Sequence, residues 1–203
     1  METFTKLWNV LNKVTKMKDS IMVSLVGGII GTLVMESSSF ILWKTKKTEL
    51  MQGHIAGSFF MRAFRTNQTK NFVLGEILHM VVGATLGIPI FQLLKRTGKD
   101  HHVLKGAFVG MVAWSGLYNL GTRLSLFTAK PHLTKSFYSA LFNHLLFGIT
   151  TAQAIITLAD PSLFSQQNQP LLAQNSAIES QTVSTIWQND STQAIDPSIG
   201  LQH

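Results

Sequence analysis

Apolar residues collect in four runs along the chain, each bounded by cations or proline. The first, Ile21 to Trp43, contains a single ionisable residue, Glu36, and ends at the aromatic-plus-cation pair Trp43-Lys44. The second, Asn71 to Leu94, carries Glu76, His79 and Pro89. The third, Gly106 to Thr122, is closed by Arg123, and the fourth, Ser136 to Ala159, has no formal charge before Asp160-Pro161. A helix needs about 20 residues to cross the hydrocarbon of a bilayer. The pattern therefore predicts an all-α fold with spans at about 21–43, 71–94, 106–123 and 136–159, packed as a four-helix transmembrane bundle. Pro89 predicts a kink, because it lacks an N–H and crowds the preceding turn. Gly98 is the expected C-cap of the second helix.

Within the runs, small residues recur at helical spacing. Gly75, His79, Gly83 and Gly87 stand four apart in the second, and Ala140, His144, Gly148 and Ala152 repeat the pattern in the fourth. Residues four apart share one helix face, so each set forms a narrow groove holding one histidine. The first and third runs carry a GxxxG instead, Gly27 with Gly31 and Gly106 with Gly110, which lets a neighbouring helix approach closely. The order A-B-A-B predicts a duplicated two-helix hairpin, its copies related by an axis along the membrane normal.

The remaining segments are polar. Residues 1–19 form a basic amphipathic helix in this reading, with Phe4, Leu7, Trp8, Leu11 and Val14 on one side and lysines elsewhere. It lies in the membrane interface or packs on the domain as an ordinary solvated helix. Between Lys44 and Lys70, the patch Ile55 to Phe64 is too short to span and reads as a surface helix, with a re-entrant helix as the alternative. Residues 161–203, rich in Gln, Asn, Ser and Thr, read as a disordered tail with one short helix around Ile178 to Trp187.

Composition agrees with a membrane protein. Charged residues make up only 13% of the 203, about half the share usual in a soluble domain. All 17 lysines and arginines lie between Lys6 and Lys135, flanking apolar runs rather than forming a stripe. Anionic lipid headgroups are thus the expected partner, with no role for nucleic acid. Four spans place both termini on one side, and the cations divide eight against nine between the sides, so the positive-inside rule is nearly balanced. The absence of cysteine excludes disulfides, zinc thiolates and thiol nucleophiles.

Glu36, Glu76, His79 and His144 are the ionisable groups inside the spans, where a charge is costly and often marks function. Glu76-x-x-His79 puts two of them on adjoining helix faces. One reading is a proton or cation relay through Glu36, Glu76 and His79. The other is structural, with neutral imidazoles hydrogen-bonded to facing helices. Two histidines in small-residue grooves also admit axial haem ligation, although neither packing aromatics nor arginines for propionates are placed for it. A di-metal carboxylate site needs Glu-x-x-His on two helices, and only one copy is present. Asn119 and Arg123, with Trp114 and Tyr118, make a polar end to the third span, either a vestibule for an acidic ligand or an interface belt. No phosphate loop, dinucleotide fingerprint or Ser-His-Asp set is present, so the expectation is a non-enzymatic protein without a resident cofactor.

The arrangement resembles small bacterial inner-membrane proteins of the YagU-like and YqhR-like kind. Gly27-Gly28-Ile-Ile-Gly31 with Glu36, Lys105-Gly106-Ala-Phe-Val-Gly110, and Asn143-His144-Leu-Leu-Phe147-Gly148 carry the likeness over about residues 20–160. Phe147 stands where such proteins often have tyrosine, and the Gln-rich tail has no counterpart. The resemblance implies a four-span topology in a bacterial inner membrane and assigns no catalytic residues. A structural or accessory component, self-associating or bound to a membrane partner, is the leading expectation. A small transporter or proton-coupled channel is the alternative.

Overall fold

The computed structural model describes residues 16–167 and 178–188. The chain divides into two units, Met1–Phe164 and Ser165–His203. The first contains α1 (Ser20–Lys44), α2 (Gln52–Gly57), a 3-10 helix (Ala63–Asn67), α3 (Thr69–Thr97), α4 (His102–Ala113) and α5 (Thr134–Leu158). Three of these, α1, α3 and α5, are long and apolar enough to cross a membrane. Where a third span was expected, one helical path runs from His102 to Arg123. It is α-helical to Ala113, π-helical over Trp114–Leu120, and α-helical again at Gly121–Arg123. α3 runs through Pro89 as a single helix.

Local chemistry sets the helix ends. Asp19 caps α1, its Oδ1 accepting from the backbone N–H groups of Ile21 and Met22, which would otherwise be orphaned. Gly98 caps α3 with φ of 85°, as expected from sequence, and Lys105 Nζ donates to the carbonyls of Thr97 and Gly98. The start of α5 is held from far along the chain. Glu49 Oε2 accepts from the backbone N–H groups of His132 (2.8 Å) and Leu133 (2.9 Å) and from Ser136 Oγ. These donors, Leu133 first, hold the Glu49 carboxyl below its ordinary range.

Helix faces meet through backbone. A Cβ on Gly28 would lie 2.4 Å from the carbonyl oxygen of Gly83, and one on Gly106 2.3 Å from that of Gly148. Gly27 and Gly31 of α1 press instead on α5, at Ile155, Thr151 and Phe147. α1 thus packs on α3 and α5, and α5 also packs on α4. The interior joins an apolar core of Phe91, Phe147, Met35, Ile90, Leu94 and Ile155 to buried Ser24, Thr32, Ser39, Asn143 and Thr151, while Ile21, Leu33, Ile41, Ile77, Phe108 and Phe142 face outward. That apolar coat suits a hydrocarbon solvent, where packing and interhelical hydrogen bonds replace the hydrophobic drive. One such bond joins Ser38 Oγ to Asn143 Oδ1.

Three expectations change. Residues 16–18 are not helical: Met17 pairs with Leu158 and Asp160 through backbone hydrogen bonds, tying the start of α1 to the end of α5. The rest of the expected amphipathic helix, residues 1–15, lies outside the described residues. The tail does not begin at 161, because Pro161–Gln167 is a 3-10 helix and buried Phe164 packs on Phe91. The second unit contains a helix over 178–188, close to the one expected at Ile178 to Trp187, and its other residues lie outside the described ones. Finally, α2 is not a surface helix. Gln52, Gly53, Ile55, Ala56 and Gly57 are buried, and α2 docks on α3 where Gly75 meets the backbone of Gly53 and Gly57.

A carboxylate–imidazole cluster beside an apolar cavity

Glu36 lies two turns before the end of α1, and Glu76 and His79 lie in the first half of α3. Close glycine packing of these helices brings the three side chains together. His79 Nδ1 is 2.5 Å from Glu36 Oε1. One ligand-capable atom from each of Glu36, Glu76 and His79 lies within 4.8 Å of the others. Glu76 Oε1 accepts the backbone N–H of Gly53 at 3.1 Å, so α2 anchors one wall. Both oxygens of Glu36 and Nδ1 of His79 are buried without an aligned hydrogen-bond partner among the described residues. Neither glutamate is paired with a lysine or arginine there.

His144 is the other histidine of the pair and has a different setting. It is 8% exposed, and its Nδ1 donates to the carbonyl of Ala140 at 2.8 Å, which leaves Nε2 unprotonated on a neutral ring. Tyr118 of the π-helix packs near it, ring centres 6.1 Å apart. His79 and His144 both border a cavity of about 350 Å³. Its walls are mostly apolar, with Met35, Ile55, Leu86, Leu117 and Phe147 among them. The π-helix supplies one side, and at Gly116 a Cβ would meet no atom within 4 Å.

The sequence-predicted residues therefore fall into three places. Glu36, Glu76 and His79 form the cluster; His144 shares the cavity; Asn119 and Arg123 do neither. Those two border a separate cleft of about 370 Å³ with Lys130 and His132. Gln52, which sequence reasoning missed, also lines the cavity, as does Tyr118, expected with Asn119 and Arg123 at the polar end of the third span. For Gln52, the signal was Gly53 and Gly57, four apart and able to match Gly75. His54 on α2 packs at a tilt against Phe72, ring centres 4.7 Å apart, and burial holds its pKa below the ordinary histidine value.

The family model named "Family of unknown function (DUF6789)" matches residues 18–166, from the cap of α1 through the 3-10 helix after α5. The match does not show the expected likeness to YagU-like or YqhR-like proteins. No curated protein and no solved structure matches the chain.

Proposed function

The chain belongs to the DUF6789 family, whose function is unknown, and we propose that it is a non-enzymatic integral membrane protein that holds one lipophilic chain. In this reading α1, α3, α5 and the α–π–α path from His102 to Arg123 all cross a bacterial inner membrane. They form a bundle of two similarly oriented hairpins, and basic residues such as Lys44, Lys46 and Lys47 meet anionic headgroups.

The carrying observation is the cavity. It has about 350 Å³ of space and mostly apolar walls, and it borders helices whose outer faces are themselves apolar. That volume lies near the lower end for small-molecule sites, roughly 300–1,000 Å³, and suits a single acyl or isoprenoid chain entering from the bilayer. The transporter alternative rests on Glu36, Glu76 and His79, of which His79 borders the same cavity.

Gly116→Leu tests the reading, because the new side chain enters open space instead of a helix contact. Protein purified in mild detergent is extracted and its lipid identified by mass spectrometry. Wild type should retain about one lipid per chain, and Gly116→Leu should lose it while unfolding at an unchanged temperature. Equal lipid content in both proteins would refute the reading.

A further inference from the structure

We propose that Glu36, Glu76 and His79 bind one divalent transition-metal ion of borderline softness, for which Zn²⁺ is the probe. The ligand atoms come from facing helices and lie within 4.8 Å of one another. A metal holding nitrogen and oxygen ligands at about 2.0–2.2 Å sets neighbouring ligand atoms roughly 3 Å apart. Rotation about the long glutamate side chains spans the difference.

A second observation points to the same occupant. Glu36 Oε1, Glu36 Oε2 and His79 Nδ1 are buried without an aligned hydrogen bond, although Nδ1 and Oε1 approach to 2.5 Å. Buried polar atoms are ordinarily satisfied, and two carboxylates in a membrane interior call for a counter-charge. A divalent cation supplies two positive charges and accepts lone pairs from all three side chains without needing hydrogen-bond alignment.

The donor set narrows the metal. One imidazole and two carboxylates suit zinc or manganese, whereas calcium and magnesium prefer all-oxygen shells. Gly53 N–H, donating to Glu76 Oε1 at 3.1 Å, is the outer contact that orients a ligating carboxylate. Three protein ligands leave a coordination position open, and His79 borders the cavity. This site stands independently of the lipid reading, which needs only the apolar walls.

The test uses the full-length protein in detergent, stripped with chelator and titrated with Zn²⁺ against a chromophoric competitor. Wild type should bind one ion per chain. Glu36→Gln and His79→Gln should each weaken binding by roughly tenfold or more. His144→Gln and Gly116→Leu should bind as wild type, so loss of lipid and loss of metal are read separately. Co²⁺ substitution gives a second readout, a visible spectrum of mixed nitrogen and oxygen ligation that His79→Gln alters even if its stability falls. Three results would overturn the proposal: no saturable binding, binding undiminished in both cluster variants, or only a proton taken up at the cluster.

Discussion

His79 and His144 occupy the same step of the same small-residue pattern, yet their surroundings are opposite. On α3 the imidazole faces Glu36 of α1, with Glu76 one turn before it. On α5 the residue three before His144 is Leu141, and its ring is sealed by the Ala140 carbonyl and Tyr118. The helices facing them differ likewise. Five residues past the second glycine of each GxxxG stand Glu36 on α1 and Ser115 on the π-helix. Both grooves pack on backbone at comparable distances, so close packing is achieved with and without carboxylates. The charged set is therefore an addition to the packing scheme rather than a requirement of it.

The largest effect should come from filling a groove. A Cβ on Gly148 already falls within van der Waals overlap of the Gly106 carbonyl and backbone. Gly148→Leu should destabilise the fold by about 3 kcal/mol or more, beyond ordinary overpacking, seen as a large drop in thermal unfolding temperature in detergent. A Gly148→Leu protein as stable as wild type would show the grooves to be loose.

Neutralising the cluster should move stability less and in the other direction. Glu36→Gln with Glu76→Gln removes two neighbouring carboxylates at nearly constant shape, which relieves their mutual repulsion and desolvation. Metal-free protein carrying both changes should unfold at an equal or higher temperature than wild type. His144→Leu should unfold lower, because the Ala140 carbonyl loses its side-chain donor. If the double variant is the less stable one, the carboxylates are structural and the contrast fails.

The smallest effect concerns the start of α5. The Glu49 carboxyl is held below its ordinary value by its donors, so the folded state favours its charged form. This contribution is present above the unfolded pKa, near 4.3, and is lost as pH falls through the lower folded value. Glu49→Gln should cost about 1 kcal/mol at pH 7. The gap between variant and wild type should narrow below pH 4 in thermal unfolding series.

What could be read from the sequence follows from the physics of each signal. Helices longer than 20 residues announce themselves through sustained apolarity, and so α1, α3 and α5 match their expected spans closely. Glycine pairs four apart predicted close approach because removing a side chain has one direct steric consequence. The burial of α2 was hidden, since six residues are too few to display a period and two of them are glycine. Glu49 was hidden for another reason: its partners lie 83 to 87 residues away, and no local pattern encodes that distance. The cluster's members were legible, since Glu36, Glu76 and His79 stand out as ionisable groups in apolar runs, but its geometry was not. Glu76 and His79 share a helix, but the arrival of Glu36 depended on which face of α1 meets α3.

The wide turn at Trp114–Leu120 has one further consequence. Each residue advances an α-helix by about 100°, and a π turn takes an extra residue to come round. Everything beyond it is consequently out of phase with His102–Ala113, as though a bearing had slipped by one tooth. Tyr118 looks inward to His144 while Arg123 is exposed, and the residues past the wide turn reach compass points about 100° away from those that a regular winding would give them.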